Sequence, residues 1–167
     1  MYSFLSKLKC VQCSNLVVYK YVANEDSATR KMYKNFYKYI VEDVKTQINF
    51  FTSLNIDETI SRGASCRCII SGIDYVFHHY FKYFSYEKAV EFTNQFFKNF
   101  ETFFINKDKN IEMFLINTFN GKTTLNIYKK LVSNNGVLKY CKYTKLKMNL
   151  KKIKILNRLN NWLKGRK

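Results

Sequence analysis

The chain has 167 residues and no proline, and it is 47% hydrophobic and 17% aromatic, with 15 Phe and 13 Tyr. That size and apolar content support one domain with a real core, which excludes a disordered body and leaves little room for a second domain. The net charge is +17 and lopsided: residues 1–112 hold 15 basic and 12 acidic side chains, whereas 113–167 hold 14 basic and none acidic. One-ended charge of this kind attracts polyanions or anionic membranes by long-range, salt-sensitive forces.

The elements follow in chain order. The β-branched and aromatic stretch 15–22 reads as a short strand or the end of a first helix. Residues 24–54 then carry Tyr33, Phe36, Ile40, Val44, Ile48 and Phe51 at three- and four-residue steps. With Asn24 or Ser27 as cap, that spacing predicts a long amphipathic helix. Asp57 caps a second helix over 58–84, whose middle, Cys66 to Phe77, has only Arg67 and Asp74 as charges. It is the expected central, mostly buried helix, with Gly63 and Gly72 letting neighbours approach closely. Ser85 caps a third helix over 86–105, with Phe92, Phe96, Phe100 and Phe103 as a core stripe. A polar break at 106–110 precedes a short helix over 111–119, stopped by Asn120-Gly121. Thr123 starts another, which stops at Asn134-Asn135-Gly136, and a final helix runs to about Leu163. The expectation is an all-α, single-domain bundle of six to eight helices around a hydrophobic central helix. Residues 1–144 form the helical core, and 145–167 a basic amphipathic C-terminal helix, within that domain or as a peripheral arm.

No stretch reaches the roughly 18–20 apolar residues of a membrane-spanning helix. Lys7, Lys9 and Lys20 interrupt any apolar N-terminal run, so no signal peptide is expected. With five cysteines, an odd number, the expected location is a reducing intracellular one, nuclear or cytoplasmic, at most peripheral to membranes.

Catalytic and metal chemistry finds little support. Cys10 and Cys13 form a C-x-x-C, and Cys66 and Cys68 a C-x-C. Helical residues two apart point about 200° apart, so the second pair does not chelate one ion, and buried free thiols are expected. His78 and His79 point about 100° apart and do not share a metal either; one packed and one partly exposed imidazole is the expectation. Nothing marks Cys68 as a nucleophile for His79. The stretch Asn120-Gly121-Lys122-Thr123-Thr124 resembles the end of a phosphate-binding loop, but its required first glycine is Ile116. The pairs Glu42-Asp43 and Asp57-Glu58 read as helix surface and capping groups rather than acid–base catalysts. The chain is therefore expected to be no enzyme, with no cofactor, metal or small-molecule substrate.

The basic tail is the strongest feature. Lys147, Lys151, Lys154 and Arg158 fall on one helical stripe; Leu146, Leu150, Ile153 and Leu156 form an adjacent one. Met148, Ile155, Leu159 and Trp162 widen the apolar side. Lysines beside leucines with a terminal Trp suit an interfacial membrane helix. The same cations suit phosphate neutralisation along a nucleic acid. A third reading packs the leucine side on the bundle and leaves the lysines solvated.

A helical domain of this size, with an apolar central helix and a cationic C-terminus, resembles viral Bcl-2-like proteins. The stretch 133–143 is similar to that family's second homology motif, an Asn-Gly followed by an apolar residue at a helix start. The first motif's counterpart is 61–72, in which Arg62 precedes Gly63, the reverse of the family's order, and Arg67 follows. Residues 24–51 look like a baculovirus and nudivirus core family that has itself been likened to Bcl-2. The usage of Lys, Asn, Ile, Tyr and Phe fits an AT-rich genome such as those of large insect DNA viruses. The resemblance implies a non-enzymatic, apoptosis-regulating interaction protein holding an amphipathic partner helix in a groove lined by Phe51, Arg62, Arg67 and Ile70. The C-terminal helix would sit on an anionic membrane surface through Lys147, Lys151, Lys154, Arg158 and Trp162. The alternative is a sequence-nonspecific nucleic-acid-binding or nucleocapsid-associated protein using the same tail residues.

Overall fold

The structure, a computed structural model, describes residues 36–118 and 120–164, with backbone alone at Lys154 and beyond Ile155. The stretch 15–22, the capped start of the first long helix, and Cys10 and Cys13 lie outside the described residues. Among those described there are six α-helices and no strand: α1 (Phe36–Ser53), α2 (Glu58–Tyr83), α3 (Tyr86–Lys98), α4 (Lys109–Ile116), α5 (Gly121–Leu131) and α6 (Gly136–Lys164). A 3₁₀ turn, Glu101–Phe104, lies between α3 and α4.

Helix α2 is the centre. Its start is fixed by Asp57, whose carboxylate accepts from the backbone N–H of Thr59 and Ile60 at 2.8 and 3.2 Å, satisfying donors with no intrahelical partner. Ile69, Ile73, Val76 and Phe77 are completely buried, and α1, α3, α4 and α5 all pack around it. The two glycines explain how closely. A Cβ at Gly63 would stand 2.5 Å from Phe114 Cδ1 of α4; at Gly72 it would stand 2.5 Å from Phe96 Cζ of α3 and 3.0 Å from Val44 Cγ2 of α1. From α4 come Ile111 and Leu115, from α5 Tyr128 and from α6 Tyr140, all fully buried, so one contiguous core joins the six helices.

Two boundaries differ from the periodicity. The helix expected over 86–105 is broken: α3 ends at Lys98 and Phe100 leaves helical geometry at φ −134°. Asn99 stands at the break, where its side-chain amide donates to Gln95 O at 2.8 Å and to Tyr37 Oη at 3.1 Å, competing with the helical backbone bonds. The break re-aims Phe104 into the core, against Phe97 and Tyr128 at ring-centroid distances of 5.4 and 5.8 Å. Second, Gly121 is itself the first residue of α5, rather than a stop followed by a start at Thr123. Asn120 takes the left-handed conformation at φ 59°, and Asn135 does so at φ 57° before Gly136. Each glycine is needed for space instead: a Cβ would lie 2.1 Å from Ile116 O at Gly121 and 2.4 Å from Leu131 O at Gly136. In both Asn-Gly pairs the asparagine makes the turn and the glycine lets the next helix leave beside the previous one.

Candidate functional site

Helix α6 decides what the chain can present. Its first turns dock on α3 and α5 through Val137, Tyr140, Cys141 and Thr144, all buried. From Lys145 onward no described residue is buried, and only Met148 still packs against the core cluster. Leu146, Leu150 and Ile153 are 60%, 51% and 52% exposed. Leu146 is two residues from Thr144, and Leu150 two from Met148, so each points about 200° away from a core-facing neighbour. The leucine stripe therefore looks outward. Ile155 is also exposed. For its described members, the third reading of the tail, burial of this apolar side against the bundle, is overturned.

Lysines border the stripe. Lys145 and Lys152 lie on one flank and Lys147 and Lys151 on the other, by the same helical geometry. Lys145 is drawn back over the Tyr86 ring at 4.0 Å, and Lys147, Lys151 and Lys152 are exposed with no ion pair among the described residues. Three acids of the body pair with other lysines: Glu112 with Lys129 at 3.3 Å, Glu91 with Lys88 at 2.8 Å, and Glu42 with Lys45 at 3.4 Å. The side chains of Lys154, Leu156, Arg158, Leu159 and Trp162 lie outside the described residues.

The four residues expected to line one groove are divided. Phe51 and Arg67 share a cleft of about 500 Å³ between α1, α2 and α4, with Ile40, Val44 and Phe114 as apolar walls. Ile70 is buried at 4% exposure and faces a different cleft, between α2, the start of α5 and α6. Arg67 reaches both clefts. Arg62 lines neither; its guanidinium stands 3.8 Å from the Asp108 carboxylate, which also caps α4. The second cleft, about 370 Å³, gathers residues that their sequence spacing does not connect: Arg67 of α2 with Lys147 and Lys151 of α6.

The chemistry-bearing side chains fall into packing roles. Asp57 is a cap, as its position implied, and Asp43 accepts from Gln47 Nε2 at 2.7 Å. Cys66 and Cys141 are buried and Cys68 half-buried, all free; burial pushes the Cys66 and Cys141 thiols up to about 12 and Cys68 to about 11. Thiols so raised are poor nucleophiles. The imidazoles are more alike than expected, both half-buried. His79 stacks on Phe36 at 3.6 Å and His78 Nδ1 meets Asp74 O at 2.8 Å. Among the described residues no group of three or more His, Cys, Asp or Glu side chains is placed to hold a metal ion.

No described helix is long and apolar enough to cross a membrane. Comparison with known proteins finds no matching family model, no matching curated protein and no matching solved structure. The likeness to Bcl-2-type proteins rests on the residue patterns alone.

Proposed function

We propose that this chain is a non-enzymatic interaction protein that docks on anionic membrane surfaces through the outward face of α6. One observation carries the reading: Leu146, Leu150 and Ile153 are exposed on the side of α6 turned away from the core, between two flanks of lysine, in an acid-free segment. An interfacial helix needs an apolar strip at the acyl boundary and cations at headgroup level, long enough to snorkel. Nucleic-acid binding needs the cations but gives the leucine strip no task. The helix would lie in the interface rather than span it.

Co-sedimentation with vesicles separates the two. The full chain is expected to bind phosphatidylserine-containing vesicles and not phosphatidylcholine vesicles. Replacing Leu146, Leu150 and Ile153 together by Gln should abolish that binding while leaving retention on duplex DNA unchanged. If the triple variant binds vesicles like the parent, the lysines act alone and the nucleic-acid reading gains.

The cleft holding Phe51 and Arg67 favours a second role, capture of a partner helix. Its walls are apolar, and Arg67 at its edge suits an acidic group on the partner. Isolated amphipathic peptides carrying one central acid are the probe, and Phe51→Asp should remove their binding.

A further inference from the structure

We propose that the cleft between α2 and α6 is a phosphate-binding site, suited to a phosphomonoester on a sugar- or polyol-sized ligand. Cations from two helices that are remote in sequence converge there: Arg67 from α2, and Lys147 and Lys151, one turn apart, from α6. The volume, about 370 Å³, lies within the range of small-ligand sites. Among the described lining residues Asp74 is the one acid, and its carboxylate already accepts from the Tyr140 hydroxyl at 2.7 Å. The cleft thus keeps an excess of positive charge.

Neutral donors add to the lining. Ser71 and Tyr75 of α2, Thr123 of α5 and Tyr143 of α6 bring hydroxyls to the cleft, beside the apolar Ile70, Ile127 and Met148. A phosphomonoester is close to dianionic at neutral pH and offers three acceptor oxygens, so it uses several cations and several hydroxyls at once. A carboxylate would leave much of this set unanswered. An apolar ligand would strand it.

The site goes beyond the docking face: it shares Lys147 and Lys151 with one flank of that face but uses none of its apolar stripe. The apolar stripe is centred on Leu146, Leu150 and Ile153, whereas the cleft opens on the Lys147 and Lys151 flank. The phosphate source is either a lipid headgroup beside the helix or a free phosphorylated compound.

Calorimetric titration of the full chain with inositol trisphosphate, at fixed ionic strength, tests the proposal. Saturable binding competed by inorganic phosphate is expected. Lys147→Gln with Lys151→Gln should weaken it by about tenfold or more, as loss of charge-assisted contacts does. Lys142→Gln with Lys152→Gln removes the same charge from exposed positions of the same helix outside the cleft, and should cost less than about twofold. Circular dichroism checks that both pairs fold. Absence of saturable binding, or equal losses from the two pairs, overturns the site. Gln at Leu146, Leu150 and Ile153 should leave the titration unchanged, so failure of membrane docking and failure of this site are distinguishable. Tighter binding to phosphatidylinositol bisphosphate vesicles than to phosphatidylserine vesicles of equal charge assigns the source to a headgroup. Equal binding, with the soluble titration intact, assigns it to a free compound.

Discussion

The Tyr140 hydroxyl donates to the Asp74 carboxylate at 2.7 Å, tying α6 to the central helix across 66 residues of sequence. Tyr140 is fully buried, and burial first, then the neighbouring Asp74 charge, holds its phenol above the ordinary range. It therefore remains a donor around neutral pH. Tyr140→Phe removes this bond while keeping the ring, and should lower stability by about 1–2 kcal/mol in urea unfolding. Asp74→Asn keeps an acceptor and should cost less. Equal stability of Tyr140→Phe and the parent would show that the bond does not anchor α6.

At Gly63 the question is space. An added Cβ meets the Phe114 ring at 2.5 Å and Phe114 Cβ at 3.1 Å. The ring can rotate, but that Cβ moves only with the α4 backbone. Gly63→Ala should lose about 1–2 kcal/mol, since overpacking of about 1–3 outweighs a helix-propensity gain of up to about 1. A raised melting temperature would contradict the close approach of α2 and α4.

His79 gives the fold a pH dependence. Burial, then the charge of Lys82, holds its imidazole pKa below the usual histidine value. In the unfolded chain it titrates at about 6.5, so just below that pH the unfolded state binds more protons than the folded one. This contribution is fully present above the ordinary value and is lost as pH falls from there through the lower folded value. His79→Phe keeps an aromatic ring against Phe36 and should flatten the decline. Urea midpoints at about pH 7.5 and about pH 5.5 read the difference between variant and parent. Parallel declines in the two proteins would remove His79 as the cause.

The thiols should be quiet. With Cys66 and Cys141 raised to about 12 and Cys68 to about 11 by burial, little thiolate exists near neutral pH. Peptides containing these three residues are expected to resist iodoacetamide in the native protein and to react once urea unfolds it. Prompt native alkylation of Cys66 or Cys141, read by mass spectrometry, would refute their burial.

Local signals were legible in the sequence and distant ones were not. Asp57 and Ser85 announce the starts of α2 and α3, because caps act within three residues. The charge-poor run from Cys66 to Phe77, with only Arg67 and Asp74 charged, announces the central helix for a similarly local reason. At the break after α3, Asn99 bonds Tyr37, 62 residues away, and no periodicity carries that contact. The tail's two stripes follow from spacing, but spacing defines a face without saying what covers it. Only the structure shows Leu150 turned outward, and only the fold brings Arg67 beside Lys147 and Lys151. For the same reason spacing does not show that Phe51 and Ile70 line different clefts, with Arg67 reaching both.

The most direct measurement places a reporter on the outward face. Leu150→Trp in a Trp162→Phe background leaves one tryptophan, at the centre of the exposed stripe. On anionic vesicles its emission should shift to the blue and be quenched by lipids brominated along the acyl chains. On neutral vesicles it should do neither. Vesicle binding without shift or quenching would mean that the lysines touch the membrane while the leucine side of α6 does not, and would contradict the docking account.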